Sequence, residues 1–234
     1  MTQIFVTCFI PYSAEKRPDR NQVEWDAIHM KKVVKGEDLN GRFMFPINGV
    51  PSKIDAANVV YFRREIDRLF GARITADHPY PVTVVPVPNG NGVIGQNNVF
   101  RTFQIASSVA ARGFLGSEAK DMLRWHEEMG KAHLNQRARM IDNHVDALRV
   151  TCGCDKPIVL FDDFVTTGSQ LAASKIKLTE AGYNVVGVYS IFDVVENGVR
   201  PDAPGWRVVE RNPQRIADLF SHIPPIIPPG AIVV

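Results

Sequence analysis

Three short, mostly apolar runs separated by helical patterns constrain the fold of this chain more than any other feature. They are Val82-Thr-Val-Val-Pro-Val87, Ile158-Val-Leu-Phe161 and Val185-Val-Gly-Val-Tyr-Ser-Ile-Phe192. A strand with one wet face alternates polar and apolar residues; a strand that is apolar throughout is covered on both faces, as in a parallel sheet between helices. The stretches between and before the runs read as those helices. Val59, Phe62, Ile66, Leu69 and Phe70 recur at helical spacing, with Asp55 as cap and Gly71 as stop. Val99, Phe103, Ala106, Val109 and Ala110 mark a second helix ending before Gly113, and Ser169 to Ala181 a third, stopped by Gly182. The expectation is an α/β fold, a doubly wound, mainly parallel sheet with a small variable hood. Residues 1–50 and 196–234 are read as hood segments, and 51–195 as the core with a loop insertion at 117–143. Ile4 to Ile10 reads as a further strand; the rest of the first segment has no assigned place.

With 234 residues, 45% of them hydrophobic and 22% charged, the chain has enough apolar matter for one buried α/β core. A net charge of +2 without a basic stripe gives no argument for nucleic acid. Three cysteines, Cys8, Cys152 and Cys154, suit a reducing compartment without a disulfide framework, and no run approaches the roughly 20 apolar residues of a membrane helix. A cytoplasmic protein is expected. Cys152-Gly-Cys154 is read as a turn before a strand rather than half a metal site. His29, His78, His126, His144 and His222 lack metal-ligand spacing and are read as surface or structural residues.

The chemistry concentrates where the second run ends, in Ile158-Val-Leu-Phe-Asp162-Asp163-Phe-Val-Thr166-Thr167-Gly168-Ser169-Gln170. An apolar strand meets two acids, then a hydroxyl-and-glycine turn, then a helix. Backbone N–H groups at a helix N-terminus favour an anion. Gly168 lets the backbone approach it, and Thr166, Thr167 and Ser169 add hydroxyl donors. The turn suits one phosphate group and lacks the lysine of a nucleoside-triphosphate loop. Asp162 and Asp163 are placed to accept hydrogen bonds from a ribose diol, and to stabilise a cationic sugar centre. Thr167 or Ser169 as a plain helix cap is the rival reading; it leaves unexplained two acids at the end of a buried strand.

This segment resembles the signature loop of type I phosphoribosyltransferases at all thirteen positions. Val84-Val-Pro-Val-Pro88 and Arg101-Thr-Phe103, with Gln136, Arg139, Asn143 and Asp146-Ala-Leu148, are similar to elements of the ComF-like competence-protein branch, over roughly residues 55–195. The cysteines here do not form that branch's zinc module. The resemblance implies binding of 5-phosphoribosyl 1-pyrophosphate, with Mg²⁺ held mainly through substrate oxygens, and transfer of ribose 5-phosphate to a nitrogen nucleophile. The pyrophosphate side falls to Pro88, Asn89 and Gly90, with Lys131 and Arg137 closing over it from the 117–143 loop. That loop is expected to hold a helix through Met122, Trp125 and Met129. A homodimer is implied, aided by the Pro-rich tail from Pro224. The alternative is a non-catalytic module of the same fold that senses the same ligand or a nucleotide and acts through a protein or nucleic-acid partner.

Overall fold

The computed structural model describes residues 2–127, 140–216 and 218. A six-stranded sheet forms the centre, in the order β10-β1-β9-β8-β4-β5. Its strands are β1 (Ile4–Tyr12), β4 (Thr83–Pro86), β5 (Glu118–Ala119), β8 (Ile158–Val165), β9 (Val185–Val194) and β10 (Arg207–Arg211). All pairs are parallel except β1 with β10. The three apolar runs thus become adjacent parallel strands, buried on both faces as their composition requires. The sheet takes β1 from residues 1–50 and β10 from residues 196–234, the two segments read as hood.

Period-two alternation along β8 sends Val159 and Phe161 to one core, Ile158 and Leu160 to the other. The first core packs beneath α1 (Gln22–Lys35), α2 (Val59–Asp77), α3 (Arg101–Ala110) and the hairpin β2 (Arg42–Ile47) with β3 (Val50–Asp55). Phe62 stands edge-on to both Phe43 and Phe45 of that hairpin. The second core lies beneath α4 (Ile141–Ala147), α5 (Ser169–Glu180) and the ribbon of β6 (Leu123–Trp125) with β7 (Leu148–Val150).

Three local expectations need correction. α2 does not stop at Gly71 but runs on to Asp77: a Cβ at 71 would lie 2.8 Å from the backbone of Arg112, so the glycine serves close packing against the end of α3. Asp55 does not cap α2. It ends β3, and its side chain accepts from Ala57 N in the intervening turn, while Asn58 holds the N-cap position. Residues 117–127 hold no helix. Glu118–Ala119 join the main sheet, and Leu123 and Trp125 bury alternate side chains of β6 in the second core. Met129 and the expected stop at Gly130 lie outside the described residues.

Among the described residues no helix is long and apolar enough to cross a membrane. Cys8, Cys152 and Cys154 are all free thiols.

The winding matters for function. From β4 the chain passes through α3 on one face to β5 at one edge. From β8 it passes through α5 on the opposite face toward β9 and the other edge. The two connections diverge between β4 and β8, which lie side by side with Pro86 opposite Phe161. Such a switch point opens a crevice beyond the carboxyl ends of the strands, where ligands of doubly wound sheets bind.

Candidate functional site

Both turns singled out in the sequence flank this crevice. The first, Thr166 to Ser169, joins β8 to α5. Gly168 takes the left-handed conformation (φ 79°, ψ 4°) at the N-cap position, and Ala172 N bonds to its carbonyl at 2.9 Å. A Cβ there would fall 2.9 Å from Arg211 Cβ and 3.3 Å from Ile4 Cγ2, so both conformation and space demand glycine. The hydroxyls of Thr167 and Ser169 lie 3.0 Å apart. The first N–H groups of a helix have no intrahelical acceptor, and here the first turn of α5, through Gln170 and Leu171, lines a cavity of about 230 Å³ together with Thr166, Thr167 and Gly168. The arrangement offers amides, hydroxyls and a helix dipole to one anion.

The two acids are split by the strand's own geometry. Asp162 faces the α5 side and lines this cavity; Asp163 faces α3. Burial pushes the Asp162 carboxyl well above the usual carboxylate range, and the negative charge of Asp163 and a hydrogen bond shared with it push the same way. Backbone N–H groups of Asp163 and Phe164 oppose the shift only in part. Asp163 accepts from Arg101 Nε at 2.8 Å and from Nη2 of the same guanidinium. Arg101, at the start of α3, thus compensates one acid while the other is held toward its neutral form.

At the second turn, Pro88 is buried, Asn89 partly buried and Gly90 exposed. The Asn89 side chain accepts from Thr102 N (3.0 Å) and Thr102 Oγ1 (3.2 Å), which ties the turn to the N-terminus of α3. Trp125 Nε1 donates to the carbonyls of Pro88 (3.1 Å) and Asn89 (3.0 Å). These bonds use the acceptors of Asn89, its Oδ1 and its carbonyl, and leave the side-chain amide N–H groups and the backbone amides as the turn's donors. Lys131 and Arg137 lie outside the described residues.

Four residues at this crevice were not among the candidates: Arg101, Arg211, Trp125 and His144. Arg211, on β10, donates from Nε to Thr166 O at 2.8 Å and pairs through Nη2 with buried Asp193. It braces the Thr166–Ser169 turn from the next strand but two. Arg101 stood in the resemblance without a role. His144, on α4, is 2% exposed and lines the cavity beside Thr166. Only the apolar face of α4 could have hinted at that burial.

A second cavity, about 370 Å³, opens between the C-terminus of α1, the first half of α2 and α3. Val33, Ile66, Ile105 and Ile191 give it apolar walls, and Arg63, Asp67 and Arg101 give it charge. Burial pushes the Asp67 carboxyl up to about 6, with Arg112 opposing. Arg101 borders this cavity and pairs with Asp163, so the two cavities lie on either side of the acid pair. Lys35, also on its wall, sits 5.2 Å over the ring of Phe164, which lines the first cavity.

Among the described residues no three His, Cys, Asp or Glu side chains cluster to hold a metal. Asp162 is the one carboxyl that the described lining of the cavity offers to a divalent ion.

No protein-family model matches the chain, and no curated protein matches it. Among solved structures it is similar to an adenine phosphoribosyltransferase (11% identity over 69% of this chain and 89% of that one, TM-score 0.37). It is similar to the orotate phosphoribosyltransferase of Aeropyrum pernix (20% identity, 70% and 81% covered, TM-score 0.33). The adenine phosphoribosyltransferase of Saccharomyces cerevisiae is a third such structure (11% identity, 72% and 89% covered, TM-score 0.35).

Proposed function

We propose that this protein binds 5-phosphoribosyl 1-pyrophosphate and transfers its ribose 5-phosphate to a nitrogen nucleophile, releasing pyrophosphate. One observation carries the reading. A left-handed glycine, two hydroxyls and a helix N-terminus share a cavity with a buried acid, at the point where the sheet's connections diverge. The 5-phosphate takes the Thr166–Ser169 turn, the ribose hydroxyls lie over Asp162, and the pyrophosphate extends toward the amides of the Pro88 turn. Magnesium bound with the substrate would spread the charge of the leaving diphosphate.

In the reaction the nucleophile's lone pair forms a bond to the anomeric carbon. The carbon–oxygen bond to pyrophosphate breaks, its electron pair leaves with pyrophosphate, and the nitrogen gives up a proton. Positive charge grows on the sugar in between. That charge favours the ionised form of Asp162, so the interaction strengthens as the barrier is approached and is weak in the ground state. The second cavity, with apolar walls and the unusually basic carboxyl of Asp67, is where a flat nitrogen ring with N–H donors fits.

Arg101 favours a second reading. It already compensates Asp163, which suits a site that binds the ligand without turning it over and signals to a partner.

Thermal melts with millimolar phosphoribosyl pyrophosphate, with and without Mg²⁺, test binding; no shift in either condition removes the proposal. Thr167→Ala with Ser169→Ala should weaken binding tenfold or more, since a hydrogen bond to a charged group contributes about 1.5–3 kcal/mol. Pyrophosphate release with a panel of bases tests transfer, and Asp162→Asn should cut turnover far more than affinity. Binding without release by any base would favour the sensor.

A further inference from the structure

His144 is the least explained group near the crevice. It lines the same cavity as Thr166, Thr167 and Ser169 while being only 2% exposed. Its Nδ1 is sealed from solvent and has no hydrogen-bond partner among the described residues. A buried N–H without an acceptor is costly, so the sealed Nδ1 is the bare nitrogen of the neutral ring, and the proton belongs on Nε2, the nitrogen left to meet a ligand. The placement is not casual. α4 packs on α5, whose N-terminus forms the anion site, and the Trp125 ring stands 5.8 Å from the imidazole. Trp125 in turn holds the carbonyls of Pro88 and Asn89. The histidine therefore sits between the two turns that flank the crevice.

We propose that His144 is a ligand-binding residue of this cavity, its imidazole hydrogen-bonding the phosphoryl group held by the Thr166–Ser169 turn. The assignment rests on reading the cavity as a phosphate site. A neutral imidazole has one N–H donor and one bare nitrogen. Burial pushes the His144 pKa down to about 4, so near neutral pH the ring is a neutral donor rather than a fixed cation. Among the described residues Asp162 is the other titratable side chain lining the cavity, and it too is held toward its neutral form. The described residues of the cavity wall would thus hold an anion with amides, hydroxyls and an imidazole, with no fixed positive side chain among them. An arriving phosphate would favour the protonated ring and raise its pKa.

Calorimetric titration of the whole protein with ribose 5-phosphate, combined with ¹⁵N spectra of its histidines, tests this. His144→Phe keeps a flat ring and removes both nitrogens. It should melt no lower than wild type yet bind ribose 5-phosphate at least tenfold more weakly. His144→Gln, which restores an amide donor at the reach of Nε2, should recover part of the loss. In wild type the His144 nitrogen signals should move as ribose 5-phosphate saturates the site. If wild type binds and His144→Phe binds equally well, the histidine is structural and the assignment fails alone. If His144→Phe does not fold, unmoved His144 signals at saturation overturn it instead. Failure of wild type to bind ribose 5-phosphate overturns the phosphate reading and this assignment together.

Discussion

Gly168 shows how much one residue can carry. Its φ of 79° is costly for any side chain, and the space a Cβ needs is filled by Arg211 and Ile4. Gly168→Ala should lower stability by about 1–2 kcal/mol from the left-handed conformation alone, and should also displace the turn. Urea unfolding checks the first effect and weaker binding of phosphoribosyl pyrophosphate the second. His144 gives a prediction with a pH sign. Its folded pKa of about 4 lies below the ordinary histidine value of 6.5, so between those values the unfolded chain binds more protons. The neutral histidine's contribution is complete above 6.5 and is lost as pH falls toward 4. The full shift is worth about 3 kcal/mol as an order of magnitude. His144→Phe should remove that part of the acid sensitivity of the ligand-free protein. Unfolding curves for both proteins at pH 7 and pH 4 that fall in parallel would contradict it. The glycine and the hydroxyls were legible in the sequence because a turn's needs are local. The histidine was not, because nothing local distinguishes a buried imidazole from a surface one.

Among the elements, β10 is the one whose role is least expected from its composition. Its five residues, Arg207-Val-Val-Glu-Arg211, pair antiparallel with β1 at the sheet edge. Its final arginine braces the Thr166–Ser169 turn and pairs with Asp193. Burial raises the Asp193 carboxyl above the usual range even with Arg211 and Arg207 beside it. Arg211→Met removes its main partner and should raise it further. Breaking a buried pair costs about 3–5 kcal/mol; with Arg211 itself 21% exposed, about 2–3 kcal/mol is the better expectation. A carboxyl with a raised folded pKa destabilises the fold as pH climbs through that value, so the loss should be larger at pH 8 than at pH 5. Urea unfolding at both pH values measures it, and an equal loss would place the effect in packing alone. β6 teaches a related lesson. Met122 and Trp125 are spaced as on a helix, but in place of a helix Leu123 and Trp125 alternate in a strand that pairs with β7, a partner lying beyond residue 147.

For the molecule as a whole, the exposed side chains of Phe5 and Val208 lie on the neighbouring strands β1 and β10. Together with the implied dimer they lead us to expect a homodimer in light scattering at micromolar concentration, and a monomeric mass would contradict it. The winding of the sheet is the property from which the site follows, since it puts the turns after β4 and β8 on adjacent strands with their helices on opposite faces. The sequence by itself determined the buried parallel strands, the helices between them and the turn at Gly168. Those depend on hydrophobic period and backbone conformation, which act over a few residues. It determined the identity of the two acids but not their division of labour. Arg101 reaches Asp163 across 62 positions, and Arg211 reaches Thr166 across 45. Which cation meets which carboxylate, and which imidazole is shut away from water, follows from strand order and helix placement. Only the tertiary structure decided these, because desolvation and pairing depend on neighbours in space rather than along the chain.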